Sequence, residues 1–595
     1  MNFKNRSPKL CLALAGLLVL SCDGQPDRGR VASADDEVAL ALAVAQQYVD
    51  GYYHQFPEDA HSFGYPDPPL DRFGDYSHEA LAAWHAREDE WIEALRSIDP
   101  DSVRGTEAAV PYAFVLDRLE ASRDLRVCRF ELWTMSPGWL GWYEFLPANF
   151  VRQSVGNDEA RAAVLARARD VVRFVETDIA NLRQGLILGF IAPRSRIEEL
   201  LQATSSLVEG ASEESPFYDP AVRDGSHGFA ASLLAVVDDE INPAIRRFCD
   251  FLRNECLPAA RDSIAATDTP GGEACYTATV RFHTSMALSP EEIHETGLRE
   301  MERLHEEMRG IGGRSFGMND PAEFLQHIRS APSYRFDSEQ EILDYARAAV
   351  ERGKAAAPEV FGILPETEVV VMPYPVHLKL TGAGMYTSGS PDGSEPARYE
   401  IGTYNPKSLG TAGIEAVAFH ETYPGHHLQR AVALEQQGLY PALRYLWISG
   451  TGEGWAVYTE RLADELGLYS SDLSRVGQLS HEAHLAARLV VDSGMHALGW
   501  TRQQAIDYLL ENTSLSEGEV IYEIDRYIAF PAQAVSYLIG SLEIQRLRRL
   551  AEERLGERFD IRGFHDAAIE DGAVTLEMLQ RKIEGWIESE AARGE

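Results

Sequence analysis

The sequence predicts a mostly α-helical protein: one large helical body, or two lobes around a deep cleft, with a small β element. Apolar residues recur at helical spacing over long stretches, among them residues 37–56, 78–98 and 158–186. Signals for helix starts also recur, whereas one β-branched segment near residue 370 departs from the helical pattern. The chain has 595 residues, 45% of them hydrophobic, and can bury more than one layer of side chains.

The amino terminus carries an export signal. Three cationic residues precede an apolar run at residues 11–21, which is too short to span a bilayer. The run ends in Val-Leu-Ser and is followed by Cys22, a pattern that resembles the lipobox of bacterial lipoproteins. The resemblance implies a lipoprotein signal peptide at residues 1–21 and lipidation of the Cys22 thiol. The alternative is an ordinary signal peptide with an incidental cysteine.

The composition beyond the signal peptide indicates a tethered, acidic body. Residues 22–36 are small, polar and charged, as in a flexible tether. No linker interrupts the remainder, in which we expect an N-terminal helical part at residues 37–280 and a second part at residues 281–595. The net charge of −38 would repel nucleic acid and anionic membrane surfaces, so neither is expected as a partner.

Three helix starts carry the residues that cap a helix. In each, an oxygen-bearing side chain precedes the helix and a glutamate follows three residues later, so that the two can satisfy backbone N–H groups. The pairs are Ser289 with Glu292, Asp320 with Glu323, and Ser338 with Glu341.

Four cysteines lie in the predicted body, namely Cys128, Cys249, Cys256 and Cys275. Cys249 and Cys256 lie seven residues apart in a predicted helix, which separates them by about 10 Å and excludes a bond between them. A disulfide between Cys256 and Cys275 is compatible with an exported protein, but the sequence does not establish it. No pair has Cys-x-x-Cys spacing, so a thiolate zinc site is not expected.

A β element and a long loop precede the histidine-rich segment. Residues 368–381 are β-branched and interrupted by prolines, as in a short edge strand. The segment that follows is rich in Gly, Ser, Pro and Tyr, and a loop of such length is usually functional. Tyr386, Arg398 and Tyr404 are candidates to line a substrate cleft, and residues 397–405 could add a peptide to a sheet edge. A purely structural loop is the alternative.

The sequence HETYPGHH, which begins at His420, has the composition of a metal site but an unusual spacing. Histidines four residues apart share one helix face and can bind one zinc ion. On a regular helix His426 lies about 120° around from His420, and His427 lies about 10 Å along the axis, so neither can share an ion with it. Pro424 has no N–H, and Gly425 tolerates unusual dihedral angles. Together they predict a local break that returns His426, or less favourably His427, to His420.

Carboxylates near this segment can complete the site. Glu453 lies at the predicted start of a helix in GEGWAVY, and Glu460 lies two turns further on. A carboxylate there would complete a His₂Glu set, which leaves a fourth position for water. Glu421 follows His420 and points about 100° away from it, as expected for a general base beside a metal.

These segments carry a family resemblance. HETYPGHH together with GEGWAVYTERL resembles the bacterial domain-of-unknown-function family 885, whose signature is HExxPGHH, and is similar to the gluzincin metallopeptidases. The resemblance covers most of residues 37–590 and implies that residues 281–595 form a metallopeptidase-like part. Carried over by position, it implies one Zn²⁺ held by His420, His426 and Glu453, with Glu421 as the base.

The segment after residue 520 supplies further candidates. It is predicted to be helical apart from Pro531, with Arg526, Gln533 and Tyr537 roughly on one face. The gluzincin resemblance assigns Tyr537 to the oxyanion, and Arg526 with Gln533 to the substrate. Buried structural hydrogen bonding is the alternative.

Three other histidines are interpreted as structural. His481 and His484 lie three residues apart, which is not the zinc spacing, so we interpret them as a surface helix face. His496, near a Gly-Trp turn, is interpreted as a satisfied core histidine; a role beside the metal or an oxyanion is the alternative.

Together these features predict a zinc-dependent metallopeptidase of short peptides, anchored by lipid at the bacterial cell envelope on the periplasmic or extracytoplasmic side. One Zn²⁺ per chain is the expected cofactor, a peptide the expected substrate and the lipid bilayer the anchor; no protein partner is implied. The alternatives are a zinc hydrolase of another amide or ester, and an envelope lipoprotein that binds peptides without cleaving them. The binding alternative predicts that Glu421 is dispensable.

Overall fold

A computed structural model describes residues 33–66, 68–133, 142–374, 381–390 and 396–593. Within these ranges the chain is a large, mostly helical body with one small sheet, as predicted. Among the described helices, none combines the length with the apolar composition that a transmembrane span requires. The predicted signal peptide, the lipidation site and the tether up to residue 32 lie outside the described residues.

The first helices run from the expected tether to residue 284. Helix α1 begins at Ala34, within the segment expected to be tether, and the Ser33 side chain caps it. The helices of this part are α1 (Ala34–Gln55), α2 (Ala60–Phe63), α3 (His78–Arg96), α4 (Pro100–Val103), α5 (Ala109–Leu125), α6 (Trp142–Arg152), α7 (Asp158–Leu188), α8 (Arg194–Ser206), α9 (Asp219–Asp224), α10 (His227–Val236), α11 (Asn242–Phe251), α12 (Leu257–Ala259) and α13 (Gly272–Thr284).

The remaining helices flank three short strands. The strands are β1 (Val369–Pro373), β2 (Thr381–Thr387) and β3 (Ala397–Thr403). The helices are α14 (Pro290–Ile311), α15 (Pro321–Ser330), α16 (Glu339–Val360), α17 (Ile414–Glu421), α18 (His426–Glu435), α19 (Pro441–Tyr445), α20 (Ser449–Glu465), α21 (Asp472–Ala497), α22 (Arg502–Asn512), α23 (Glu517–Ala529), α24 (Ser536–Leu555), α25 (Ile561–Ile569) and α26 (Leu576–Ala592).

Side chains cap the helices at the predicted positions. The Ser289 hydroxyl accepts the N–H of Glu292, and the Glu292 carboxylate accepts the N–H of Ser289. Asp320 and Ser338 likewise accept N–H groups from the first turns of α15 and α16. Each bond satisfies a donor that has no partner within its own helix.

The three strands form one sheet in the order β1–β3–β2. Strand β3 is parallel to β1 and antiparallel to β2, so it occupies the centre of the sheet. The prediction that residues 397–405 could add a substrate peptide at a sheet edge is therefore wrong, because both hydrogen-bonding sides of β3 are already paired. The edges belong to β1, as predicted for that segment, and to β2.

Two apolar cores share helices α20 and α24, and the first of them contains the histidine-rich segment. The first joins α1, α3 and α5 to α16–α20 and α24–α26, and the second gathers α14, α15 and α20–α24. A third core lies among α6–α11. Because the first core contains helices from both sides of residue 280, the packing does not divide there, and the predicted boundary stays a prediction.

Helices α20 and α24 approach each other closely through glycines. A Cβ atom on Gly540 would lie 1.7 Å from the Gly450 carbonyl oxygen, and one on Gly454 would lie 2.5 Å from the Gly540 Cα. Only residues without a side chain fit this crossing. The crossing fixes Glu453, next to Gly454, close to the start of α24.

One disulfide joins distant parts of the chain. Cys128, which follows α5, is bonded to Cys275 of α13, while Cys249 and Cys256 are buried and free. The pairing of Cys256 with Cys275 that the sequence left open is therefore wrong. The packing of α13 against the end of α5 places Cys128 beside Cys275 instead.

Candidate metal centre

The helix carrying His420 is interrupted before His426. Helix α17 ends at Glu421 and α18 begins at His426. Across the break the Gly425 N–H donates to the Phe419 carbonyl, and the N–H of Leu428 donates to a carbonyl that is also six residues earlier. Regular helical bonds span four residues, so the break absorbs two extra residues, as predicted. Gly425 is required here, since a Cβ atom would lie 1.9 Å from the His420 carbonyl oxygen.

The break brings three ligand-type side chains together. His420, His426 and Glu453 are buried, and their ligand atoms all lie within 4.8 Å of one another. The Glu453 Oε2 atom is 3.6 Å from the His420 Nε2 and 3.2 Å from the His426 Nε2. Ligands about 2.1 Å from a tetrahedral zinc ion are about 3.4 Å apart. The group can therefore hold a metal ion, and its donor set fits zinc.

His427 faces away from this group. Its Nε2 lies 3.0 Å from the Thr367 carbonyl oxygen and 3.2 Å from the Tyr423 hydroxyl, and its Nδ1 lies 3.4 Å from the Tyr386 hydroxyl. Burial lowers the pKa of His427 to about 4, so the ring is neutral. Of the two histidines left open by the sequence, His426 is the one beside His420.

A carboxylate behind His420 orients its ring. The His420 Nδ1 donates to Glu460 Oε1 at 2.8 Å, which leaves Nε2 directed at Glu453. The other oxygen of Glu460 accepts from the His481 Nδ1 at 2.8 Å. A carboxylate on the far nitrogen of a metal-binding histidine fixes the ring and raises its basicity. Of the two glutamates considered as the third ligand, Glu453 thus faces the ligand nitrogen and Glu460 supports the ring from behind.

The interpretation of His481 and His484 as a surface face is wrong. His481 is held by Glu460, and His484 is buried, with its Nε2 3.0 Å from the Tyr527 hydroxyl. Their helix, α21, is buried along most of its length, which their spacing could not reveal. His496, in contrast, is a core histidine as predicted, since its ring nitrogens contact the Ala266 N–H and the Tyr527 carbonyl oxygen.

The cluster attracts positive charge. Burial opposes ionisation of His420, but its hydrogen bonds to Glu453 and Glu460 outweigh burial and raise the pKa of His420 to about 10. Burial also opposes ionisation of Glu453, but the charge of His426 and hydrogen bonds from both histidines outweigh it and lower the pKa of Glu453 to about 2. Buried carboxylates that hold a proton on His420 offer the same field to a divalent cation.

Glu421 lies beside the cluster but is not one of its three members. It ends α17, and its charge contributes to the raised pKa of His420. Its Oε2 accepts the backbone N–H of Tyr386 at 2.8 Å, so strand β2 fixes the carboxylate. This bond engages Oε2, and Oε1 stays available to accept a proton.

Tyr537 also lies at the cluster. Its ring stacks on that of His420, with centroids 6.5 Å apart and planes inclined by 18°. Arg526 donates to the Gln533 Oε1 at 3.0 Å, so these two predicted residues contact each other. They do not share one helix face with Tyr537, because α23 ends at Ala529 and a turn separates it from α24. That turn, rather than helical periodicity, brings the three together.

The three candidates from the predicted loop differ in their distance from the metal cluster. Tyr386 lies on β2 next to Glu421 and His427. Arg398 lies on β3 beside Tyr399, whose ring lies next to Gly384 on the same side of the sheet as Val417 of α17. Strand alternation puts Arg398 on the opposite face. Tyr404 is exposed and follows Tyr399 by five residues, about 16 Å along a strand. The structure therefore brings only Tyr386 to the cluster.

The sequence interpretation missed two residues near Tyr537, namely Arg488 and Glu523. The Arg488 guanidinium lies 4.7 Å from the centre of the Tyr537 ring and donates to Glu523 at 2.9 Å. Arg488 follows His484 by four residues in an otherwise apolar part of α21. This polar stripe is the signal that could have found it.

Fold and site together define a class of mostly helical protein with a buried His₂Glu cluster on an interrupted helix. The chain belongs to the family described as bacterial protein of unknown function (DUF885), whose sequence pattern matches residues 57–583. No curated protein matches the chain.

Two solved structures share the fold. One is described as a "putative lipoprotein" from Colwellia psychrerythraea; it is 24% identical, with a TM-score of 0.85, over 94% of this chain and 100% of that chain. The other is described as a "putative lipoprotein of unknown function" from Shewanella oneidensis; it is 15% identical, with a TM-score of 0.69, over 92% of this chain and 99% of that chain. At these identities the likeness establishes the fold alone.

Proposed function

We propose that this protein is a zinc-dependent metallopeptidase that hydrolyses peptide bonds of short peptides. The observation that carries the proposal is the buried group of His420, His426 and Glu453, with the Glu421 carboxylate fixed beside it. Three protein ligands of this kind leave one position for water or substrate, as in catalytic zinc sites. The gluzincin resemblance of the two motifs favours the same chemistry.

In the proposed reaction, each group beside the cluster has one task. A zinc ion bound there would polarise the substrate carbonyl and lower the pKa of a bound water. Glu421, whose Oε2 is held by the Tyr386 N–H, takes a proton at Oε1 and later gives it to the leaving amine. Burial, and then the charge of Glu453, raise the pKa of Tyr537, so its hydroxyl keeps its proton and can donate to a developing oxyanion.

We also propose that the protein works outside the cytoplasm, anchored to the bilayer through Cys22. The lipobox-like sequence supports an anchor, and both solved neighbours are described as lipoproteins. The bond between Cys128 and Cys275 suits an oxidising compartment, where disulfides persist. The substrate is then a peptide of the cell envelope or its surroundings.

The test is digestion of a mixed peptide library by the zinc-loaded protein, read by mass spectrometry. The wild type should cleave, whereas Glu421→Gln should bind zinc equally and lose at least about 100-fold in turnover, since it cannot accept a proton. Glu577→Gln, at an exposed position on α26, is the matched control and should cleave normally. Normal turnover by Glu421→Gln would show that the base is misassigned. Cleavage of other amides or esters, but not of peptides, would indicate a zinc hydrolase of another amide or ester. Binding of peptides without cleavage would indicate an envelope lipoprotein that only binds them.

A further inference from the structure

A second buried cluster lies beside Tyr537. Arg488 and Arg526 both donate to the same atom, Oε2 of Glu523, at 2.9 Å each. The Tyr527 hydroxyl donates to that atom as well. All three charged side chains are at least 85% buried. One carboxylate oxygen therefore serves two guanidinium groups.

The other titratable groups near this cluster form no ion pair with Arg488. Burial, and then the charge of Arg488, lower the pKa of His484 to about 4, so His484 is neutral. Asp492 is fully buried and accepts hydrogen bonds from the Tyr276 hydroxyl and the Ala532 N–H. Among the described residues, Arg488 has no carboxylate within 4 Å other than Glu523. A buried cation that shares its counter-ion is costly unless another anion approaches.

Arg488 retains donor capacity for such an anion. Its Nε donates to the Tyr527 hydroxyl at 2.7 Å and its Nη2 donates to Glu523. Its Nη1 donates to no group in the described part of the chain. Arg526 is held in place beside it, with Nη1 bonded to Gln533 at 3.0 Å. A planar guanidinium with a free N–H suits a carboxylate ligand.

The cluster lies one aromatic ring away from the metal centre. The Arg488 guanidinium carbon is 4.7 Å from the centre of the Tyr537 ring, and that ring stacks on His420. An extended peptide spans about 3.3–3.6 Å per residue. A carboxylate held by Arg488 would thus lie within about three residues of a bond positioned at His420.

We infer that Arg488, held beside Arg526 by their shared partner Glu523, forms a subsite for the free carboxylate at the C terminus of the substrate, so that cleavage is confined to the last residues of a peptide. This inference rests on the proposed function and names its substrate class: short peptides with an unblocked C terminus. Glu523 positions the two arginines. Gln533 links Arg526 to the segment that carries Tyr537.

The first test compares a neutral peptide as the free acid with the same peptide as the C-terminal amide. The wild type should cleave the acid about 10- to 100-fold more efficiently, the range expected for hydrogen bonds to a charged group. Arg488→Gln should lose most of this preference, and Arg488→Lys should keep a part of it. Arg502→Gln, which breaks an ion pair to Asp525 outside the cluster, should keep the full preference. Equal cleavage of acid and amide by the wild type would overturn the inference while the proposed function stands.

The second test does not require turnover. Calorimetry with the zinc-loaded protein measures the binding of three peptides. They are N-acetyl-dialanine as the free acid, N-acetyl-dialanine as the C-terminal amide, and N-acetyl-dialanine extended so that its carboxylate belongs to an internal aspartate and its C terminus is an amide. The free acid should bind about tenfold or more tightly than the amide, and Arg488→Gln should remove the difference. If this difference appears but no peptide is cleaved, the subsite stands and the peptidase proposal fails. Equal binding of acid and amide, or tight binding of the aspartyl amide alone, would contradict a C-terminal subsite. Circular dichroism confirms that each variant is folded.

Discussion

At the scale of single residues, two adjacent histidines occupy opposite environments. His426 points at Glu453 across 3.2 Å, while His427 is bonded to the Thr367 carbonyl and packs against Tyr423. Neighbours on a helix point about 100° apart, so one turn cannot direct both to the same ion. Which of the two histidines faces Glu453 depends on the break before α18, because the break sets the rotation of that helix about its axis.

We predict that the same substitution at the two histidines has different effects on zinc. His426→Gln should weaken zinc binding by more than about 100-fold, because changes around a ligand already cost 10- to 100-fold. His427→Gln should retain zinc affinity and lower thermal stability, because the side chain is fully buried. A chelator competition titration measures both affinities. Weaker zinc binding by His427→Gln than by His426→Gln would place His427 at the metal.

At the scale of elements, the position of Glu453 depends on how closely α20 approaches α24. Gly450 and Gly454 on α20 face Gly540 on α24, and no Cβ atom fits between them. Tyr537 lies one turn before Gly540 and stacks on His420. The crossing therefore sets the distance between the metal group and the proposed oxyanion donor.

Gly540→Ala should separate the two helices and disturb the metal group. The added methyl would lie 1.7 Å from the Gly450 carbonyl oxygen, so we expect a loss of about 1–3 kcal/mol in unfolding free energy and weaker zinc binding. Gly585→Ala on α26 is the control, because nothing lies within 4 Å of its Cβ position. It should be neutral or stabilising by up to about 1 kcal/mol. Denaturant unfolding with and without zinc measures both effects, and equal behaviour of the two variants would contradict the packing argument.

Helices α6 and α7 are joined by a buried carboxylate that should make stability depend on pH. Asp178 accepts the Trp142 Nε1–H at 3.0 Å, and burial raises the pKa of Asp178 from 3.8 to about 7. Because the folded state holds this proton more tightly, the contribution to stability is greatest below about pH 4 and is lost as pH rises to about 7.

Asp178→Asn should remove this loss while keeping an oxygen that accepts from Trp142. Relative to the wild type, the variant should gain stability progressively between about pH 4 and pH 7 and hold a constant advantage above pH 7. Asp250→Asn, at an exposed position on α11, should show no such trend. Urea unfolding at several pH values measures the difference. A variant whose stability runs parallel to the wild type across this range would refute a raised pKa.

At the scale of the whole molecule, the export signal and the lipid anchor form one prediction. An expressing bacterium fed an alkyne fatty acid should label the wild type, and Cys22→Ser should abolish the label because the thiol is lost. Cys249→Ser, at a buried cysteine of the body, should remain labelled. An unlabelled wild type would favour the ordinary signal peptide.

Local chemistry in the sequence predicted much of the fold and of the metal group. The caps at Ser289, Asp320 and Ser338 depend on residues three apart, and the break before His426 depends on neighbouring Pro424 and Gly425. Such features act within one or two helical turns, so the sequence contains all the participating atoms.

Features that depend on distant packing were not predictable in this way. Cys128 meets Cys275 across 147 residues, and β3 became central because β2 pairs with its free side. His484 is buried where α21 packs against α23, and its three-residue spacing from His481 carries no information about that. Arg488 was missed for the same reason, since its contacts with Glu523 and Tyr537 join different helices.

The central claim is that one zinc ion is held by His420, His426 and Glu453. Anomalous diffraction at the zinc edge, from crystals of the protein purified without chelators, tests it most directly. We predict a single strong peak within about 2.0–2.2 Å of the Nε2 atoms of His420 and His426 and of a Glu453 oxygen. A zinc-supplemented crystal without a peak there, or with its peak on His427, would contradict the claim.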